Sequence, residues 1–182
     1  MALLLEEKDI ELLKKTVTNL CNKRGQPIKT VTYIVKEFMK FAKSVENQET
    51  RIDLIKTLKD ITEKKIYLEV EYARCCMILV KFNEDKTNNL EEAVKIMENV
   101  QVETYGSMSK EEKFEFILYQ MKLNILLNDF TRLIIVARKI NPTHLEEDGL
   151  EYLKLTYFLY KYHYHKQVRE YKDCTQCLVK VF

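Results

Sequence analysis

A chain of 182 residues with 30 Lys and Arg against 28 Asp and Glu carries a formal charge of +2, which excludes selection of a polyanion by net charge alone. Three Gly and two Pro among 46% hydrophobic residues are the sparse punctuation of an all-helical protein, long enough for one domain that buries roughly two-thirds of its unfolded surface. The longest apolar run, Cys75 to Val80, has six residues, far short of the roughly 20 needed to cross a bilayer. Leu3, Leu4 and Leu5 are followed at once by Glu6 and Glu7, too short and too acidic a start for a secretory signal. Five cysteines, with Cys75 and Cys76 adjacent, make a poor disulfide framework and point to a reducing cytoplasm or nucleus.

Ile10, Leu13, Val17, Leu20 and Cys21 recur at helical spacing. Gly25 and Pro27 then mark a turn, and Ile28, Val31, Val35, Phe38, Ala42 and Val45 line one face of a second helix, widened by Ile34 and Phe41, so residues 1–45 read as a first helical hairpin. Residues 50–83 read as one long helix or a helix pair, with any break near Thr62 to Lys65. After Lys65 two stripes run side by side, Ile66, Val70, Ala73, Met77 and Val80 beside Tyr72, Cys76 and Leu79, and such a helix needs cover on two sides.

Residues 88–127 form a repeat. Asn89 with Glu92 opens a short helix bearing Leu90, Ala93, Ile96 and Met97, and Glu98 and Val100 close it. Gly106 is then available for the positive φ of a tight exit, in a short polar hinge, and Ser109 with Glu112 forms a capping box for the next helix. That helix carries Phe114, Ile117, Leu118, Met121 and Ile125 on one side and Phe116, Leu123 and Leu127 on another. Residues 129–165 repeat the scheme, with Asp129 before Phe130, then Leu133, Ile134 and Ala137, and a two-sided helix of Leu155, Phe158, Leu159 and Tyr162 with Tyr157, Tyr160 and Tyr164. Residues 166–182 start a further repeat at Lys166 before Val168. The three short-helix starts, Asn89, Asp129 and Lys166, lie 40 and then 37 positions apart, periods that belong to paired-helix repeats. The expected fold is a single all-α helical-repeat domain over residues 1–182, a right-handed solenoid of antiparallel, TPR-like helix pairs, with a closed bundle as the alternative.

Reactive chemistry is sparse. C-x-x-C at Cys174 to Cys177, with His163 and His165 upstream, is the nearest approach to a zinc constellation, but Val168, Tyr171 and Leu178 surround the thiols and favour packing. A redox role would need a strand before the motif to lower a thiol pKa, and the context is helical. Ser44, Ser107 and Ser109 are the only serines and none sits in a nucleophile elbow. Paired acids such as Glu91 and Glu92, or Glu111 and Glu112, fit helix first turns. No catalytic, cofactor-binding or metal residue is assigned, and no phosphate-cradling loop is present. The run Tyr157 to Tyr171 interleaves aromatics with Lys161, Lys166 and Arg169, the composition that stacks on single-stranded RNA, although Tyr157, Tyr160 and Tyr164 share one helix face and fit packing.

V-Q-V-E-T-Y-G-S-M at Val100 to Met108 and L-C-N-K-R-G-Q at Leu20 to Gln26 resemble the non-ATPase regulatory subunit 12 family of the proteasome regulatory-particle lid. The similarity continues through T-E-K-K-I-Y at Thr62 to Tyr67, then Glu69, Glu71, Ala73 and Arg74, E-F-I-L-Y-Q-M at Glu115 to Met121 and K-I-N at Lys139 to Asn141. Tyr72 and Tyr119 stand where that family tends to place charged residues. The resemblance implies an N-terminal helical-repeat arm whose C-terminal PCI winged-helix module is absent from this sequence. It implies a non-catalytic scaffold without cofactor, positioning lid subunits, including the deubiquitinating subunit, against the ATPase base and core particle in ubiquitin-dependent degradation. The expected setting is cytoplasmic and nuclear, with protein partners and no membrane or nucleic acid. Self-association through a terminal helix near Gln167 to Phe182, membership of another PCI-type complex, and RNA binding through Tyr157 to Tyr171 are the other readings.

Overall fold

The computed structural model describes residues 10–87 and 89–181; the reading of Leu3 to Glu7 lies outside them. Among the described residues there is no strand, and the chain is a succession of helices: α1 Ile10–Asn22, α2 Ile28–Ser44, α3 Gln48–Thr62, α4 Glu69–Phe82, α5 Leu90–Glu98, α6 Lys110–Leu126, α7 Phe130–Ala137, α8 Glu151–Val168 and α9 Tyr171–Val179. It divides after Leu79 into two compact units, each with its own core.

In the first unit α1 packs on α2 and α3, and α2 on α3. Leu13 and Val17 of α1, Val35 and Phe38 of α2, and Leu54, Ile55 and Leu58 of α3 are buried, each such side chain contributing roughly 1.5 to 3 kcal/mol on removal from water. Gly25 takes φ +80° at the α1–α2 turn, and the Pro27 carbonyl accepts the first amides of α2. Ile28, placed on the apolar stripe by its spacing, is exposed at the helix start.

The stretch left open between one helix and two is two. Asn47 caps α3 by accepting from the Glu49 and Thr50 amides. At its other end Thr62 turns its hydroxyl onto the Leu58 and Lys59 carbonyls, and the extended Lys65 reaches back to the Ile61 carbonyl at 2.6 Å and to Asn22 Oδ1 at 3.0 Å. An ammonium on the negative end of a helix stops it without Gly or Pro. The turn Ile66–Leu68 follows before α4. Ile66 is 86% exposed, because it belongs to that turn and not to the α4 stripe. Val70, Tyr72, Ala73, Cys75, Cys76, Leu79 and Val80 are buried, so α4 has the cover its two stripes require.

In the second unit α5 packs on α6, α6 on α7 and α8, α7 on α8, and α8 on α9. The elements keep a register. Short helices begin at Leu90, Phe130 and Tyr171, steps of 40 and 41; long helices begin at Lys110 and Glu151, a step of 41; the intervening turns begin at Val102 and Pro142, a step of 40. The third short helix therefore starts later than its hydrophobic pattern indicates, since α8 runs through Lys166 to Val168. The reason is a shared corner. Asn128 and Arg169 adopt φ 57° and 65°, and the next amides, of Asp129 and Glu170, bond back to the Asn124 and His165 carbonyls at 2.9 Å, the Schellman closure of a helix.

Two further expectations are corrected. Gly106 has no positive φ; among the glycines that conformation falls on Gly25 and Gly149, and α5 instead ends through Asn99 in an ordinary helical conformation and the turn Val102–Thr104. Nor is the joint polar: Val100, Val102, Tyr105 and Met108 are buried, while Ser109 does cap α6 by accepting from the Glu112 amide. On α8, Leu153, Tyr157 and Phe158 are buried but Leu155 and Leu159 are 42% and 40% exposed, since no described helix lies over that face.

Candidate interaction surface

At the ends of α5 and α7 a long helix adds a side-chain donor to carbonyls of the short one or of the turn after it. Gln120 of α6, buried among apolar neighbours, donates its amide to the Met97 and Val100 carbonyls at 3.2 and 3.0 Å. In the next pair the Tyr157 hydroxyl donates to the Ala137 carbonyl at 3.4 Å. Charged pairs run from one helix pair to the next on the surface: Glu98 with Arg132, Glu103 with Lys139 at 2.9 Å and Lys110 with Glu147 at 2.8 Å. Tyr152 adds its hydroxyl to Glu111 and Glu115. Exposed pairs of this kind each contribute little to stability, so the apolar core and the carbonyl clamps hold the helices together.

Ahead of α5, the turn Asn83–Thr87 is tied to α6. Glu84 accepts from the Tyr119 hydroxyl and from Lys122 at 2.5 Å. Partial burial pushes the Glu84 carboxyl up, but the Lys122 and Tyr119 bonds outweigh it and hold the group below the ordinary carboxylate value. Burial, and then the bond to Glu84, pushes the Tyr119 hydroxyl well up. Tyr119, one of the two departures from the family pattern, thus serves a structural tie.

Cys174 and Cys177 are buried, and desolvation raises the Cys177 thiol, the direction opposite to activation. Burial likewise pushes Cys76 up to about 11. His163 is exposed. His165 instead meets Glu170 and Asp173, whose ligand atoms lie within 4.8 Å of one another, with His165 Nδ1 2.8 Å from Glu170 Oε2. These three occupy the helix corner of α8 and α9, at register positions held by Asn124, Asp129 and Arg132 in the preceding pair.

Aromatic exposure is also uneven. Tyr157 and Phe158 are buried, with the Lys161 ammonium 5.7 Å from the Tyr157 ring centroid; Tyr160, Tyr162 and Tyr164 are half-buried, and only Tyr171 is well exposed. The run Tyr157 to Tyr171 therefore offers no continuous series of free ring faces. Exposed apolar side chains include Ile28, Tyr33, Ile66 and Tyr67 in the first unit, and Ile135, Leu155 and Leu159 in the second. A cleft of about 150 Å³ opens between α5, α6 and α7, with Val94, Leu123 and Ile135 in its walls. Sequence reasoning missed Gln120 and Asn124, polar residues buried on an otherwise apolar helix; their interruption of the α6 stripe was the available signal.

Comparison with known proteins gives this helical arrangement a lineage. The family description "PSMD12/CSN4, N-terminal" matches residues 1–182. The chain is 41% identical over 148 residues to the 26S proteasome non-ATPase regulatory subunit 12 homolog B of Arabidopsis thaliana, covering 81% of this chain and 33% of that protein. It is 37% identical over 174 residues to the 26S proteasome regulatory subunit RPN5 of Saccharomyces cerevisiae, covering 93% of this chain and 38% of that protein. With the 26S proteasome non-ATPase regulatory subunit 12 of Dictyostelium discoideum it shares 32% over 173 residues, 95% of this chain and 38% of the other. The chain thus spans between a third and two-fifths of the length of these relatives. On these matches, and with an all-helical fold, the chain belongs to the PSMD12/CSN4 N-terminal family.

Proposed function

We propose that this chain is the helical-repeat arm of a lid subunit of the proteasome regulatory particle, a non-catalytic scaffold that positions other lid subunits against the core particle and the ATPase base in ubiquitin-dependent degradation. The observation that carries the reading is the family match across residues 1–182, joined by relatives named as 26S proteasome regulatory subunits. The alternation of short and long helices at steps of 40 and 41 residues supports a right-handed stack of TPR-like helix pairs, in which edges and faces are left for partners. Exposed apolar side chains such as Ile66 and Leu155 support a role in protein contacts. Five buried free thiols support a reducing setting, cytoplasmic and nuclear.

The test is purification of the tagged protein at low salt followed by identification of what accompanies it. Lid subunits, including the deubiquitinating subunit, are expected in constant proportion to the bait. Recovery of the folded protein without any proteasome subunit would overturn the proposal.

A further inference from the structure

The corner between α8 and α9 departs from the corner before it. Between α6 and α7, Asp129 caps the short helix by accepting the Arg132 amide at 2.9 Å, and the Arg132 guanidinium returns to the same carboxylate at 3.2 Å. There the chain supplies both the acid and its cation. At the register-equivalent positions of the next pair stand Glu170 and Asp173, with His165 in place of Asn124. Glu170 makes no side-chain cap on α9 and turns instead to His165, its Oε2 2.8 Å from Nδ1. Asp173 has no hydrogen bond or ion pair among the described residues. The basic side chain has therefore been exchanged for a second carboxylate, and the corner holds two acids beside one imidazole.

Helix capping does not account for this arrangement, since an acid at a helix start is stabilised by facing the free amides, and Glu170 faces the imidazole. One ring nitrogen of His165 and one oxygen from each acid lie within 4.8 Å of one another. Ligand atoms on a tetrahedral zinc, with bonds of about 2.0 to 2.2 Å, sit roughly 3.4 Å apart, a spacing that small side-chain rotations reach. The backbone of the corner is already fixed, because the Glu170 amide bonds the His165 carbonyl at 2.9 Å. His165 is the sheltered ligand, its side chain 13% exposed, while the Glu170 side chain is 47% exposed and free to adjust. One imidazole nitrogen with two carboxylate oxygens suits zinc better than magnesium or calcium, which take oxygen shells. The buried thiols of Cys174 and Cys177 are not part of the group.

We propose that His165, Glu170 and Asp173 form a site for one divalent transition-metal ion of the zinc class, which takes the role of the Arg132 guanidinium in the preceding pair and locks α9 onto α8. The two carboxylates balance its charge, and a fourth position is left to water. The site needs only this chain's residues, so it stands or falls apart from the lid assignment.

The experiment is equilibrium dialysis of the untagged, reduced chain against zinc chloride, with metal content measured and the imidazole resonances of its three histidines followed in parallel. One zinc per chain is expected, with the His165 resonance moving in proportion to zinc bound. His165→Asn and Asp173→Asn are each expected to weaken binding by about tenfold or more, and His163→Asn, outside the group, to leave it unchanged. Asp173→Arg, which restores the basic residue of the preceding pair, is expected to abolish zinc uptake while the helical circular dichroism is retained. Cobalt in place of zinc is expected to bind without a thiolate-to-metal absorption band. No zinc taken up, uptake undiminished in His165→Asn, or a thiolate band with cobalt, which would put the ion on Cys174 and Cys177, each overturns the proposal. Should a variant fail to fold, the His165 resonance of the unsubstituted chain decides alone: an unmoved resonance at saturating zinc overturns the site.

Discussion

Asn128 and Arg169, 41 positions apart, hold the same left-handed backbone conformation, φ 57° and 65°, at the exits of α6 and α8. Each lets the following amide reach a carbonyl five residues before it and so sets the direction in which the next short helix leaves. The two differ in how well the residue suits the geometry. Asn visits this region readily, whereas a longer L-residue is strained there by roughly 1 to 2 kcal/mol. Arg169→Gly is therefore expected to raise stability by about 0.5 to 1 kcal/mol after the entropy of glycine in the unfolded chain is counted. Asn128→Gly should be close to neutral, and Arg169→Val should destabilise by about 1 to 2 kcal/mol. Urea unfolding of the three variants measures this; equal effects of glycine at both corners would contradict it.

The carbonyl clamps make a second prediction. Gln120→Met preserves the volume of the side chain but removes the donor to the Val100 carbonyl, while the Met97 carbonyl keeps the Val100 amide at 3.1 Å, and leaving one buried acceptor unpaired costs about 1 to 3 kcal/mol. Tyr157→Phe removes a single long bond of 3.4 Å and is expected to cost about 1 kcal/mol or less. Denaturant midpoints compared at constant slope distinguish the two; a Tyr157→Phe loss as large as that of Gln120→Met would show that the hydroxyl carries more than this geometry gives it.

How much of this was readable beforehand follows from where the determinants lie. Helices, their apolar faces and most caps are local, so Asn89, Ser109 and Asp129 announce themselves through side chains that accept amides three residues onward. The family strings were readable for the same reason. The end of α8 was not, because a left-handed Arg169 has no residue-type signature, and Lys166 before Val168 resembled a helix start. Gly106 misled in the opposite sense: it has the permissive residue, yet buried Val100, Val102 and Tyr105 fix the joint. The candidate surface was least legible of all, since the cleft joins Val94, Asn124 and Ile135 from three helices and Asn124 alone looks like any polar residue on a helix.

Glu84 supplies a pH dependence. Its carboxyl lies below the ordinary value of 4.5 because the bonds from Lys122 and Tyr119 outweigh partial burial. With the folded value depressed, the unfolded chain takes up the proton first as pH falls, so this group's contribution is complete above the ordinary carboxylate range and is lost below it. Glu84→Gln is expected to flatten the decline of stability between about pH 5 and pH 3. Chemical unfolding across that interval checks the sign: a steeper acid decline in Glu84→Gln would refute the assignment.

Register-equivalent side chains on α6 and α8 provide the last test, because the same sequence position meets two environments. Phe114 and Leu118 are 7% and 4% exposed on α6, which carries α7 and α8 against it. Their counterparts 41 residues on, Leu155 and Leu159, are 42% and 40% exposed on α8. Truncating the first pair removes apolar area and leaves cavities, so Phe114→Ala is expected to cost about 3 to 5 kcal/mol and Leu118→Ala about 2 to 5 kcal/mol. Truncating the second leaves no enclosed void, and Leu155→Ala and Leu159→Ala should each cost about 1 kcal/mol or less. Identical hydrophobic spacing thus predicts equal burial, while the stacking of neighbours sets the energy. Calorimetric midpoints of the four variants decide between these accounts: near-equal losses on the two helices would mean that Leu155 and Leu159 are covered in solution, and a large gap confirms that α8 keeps one apolar face open.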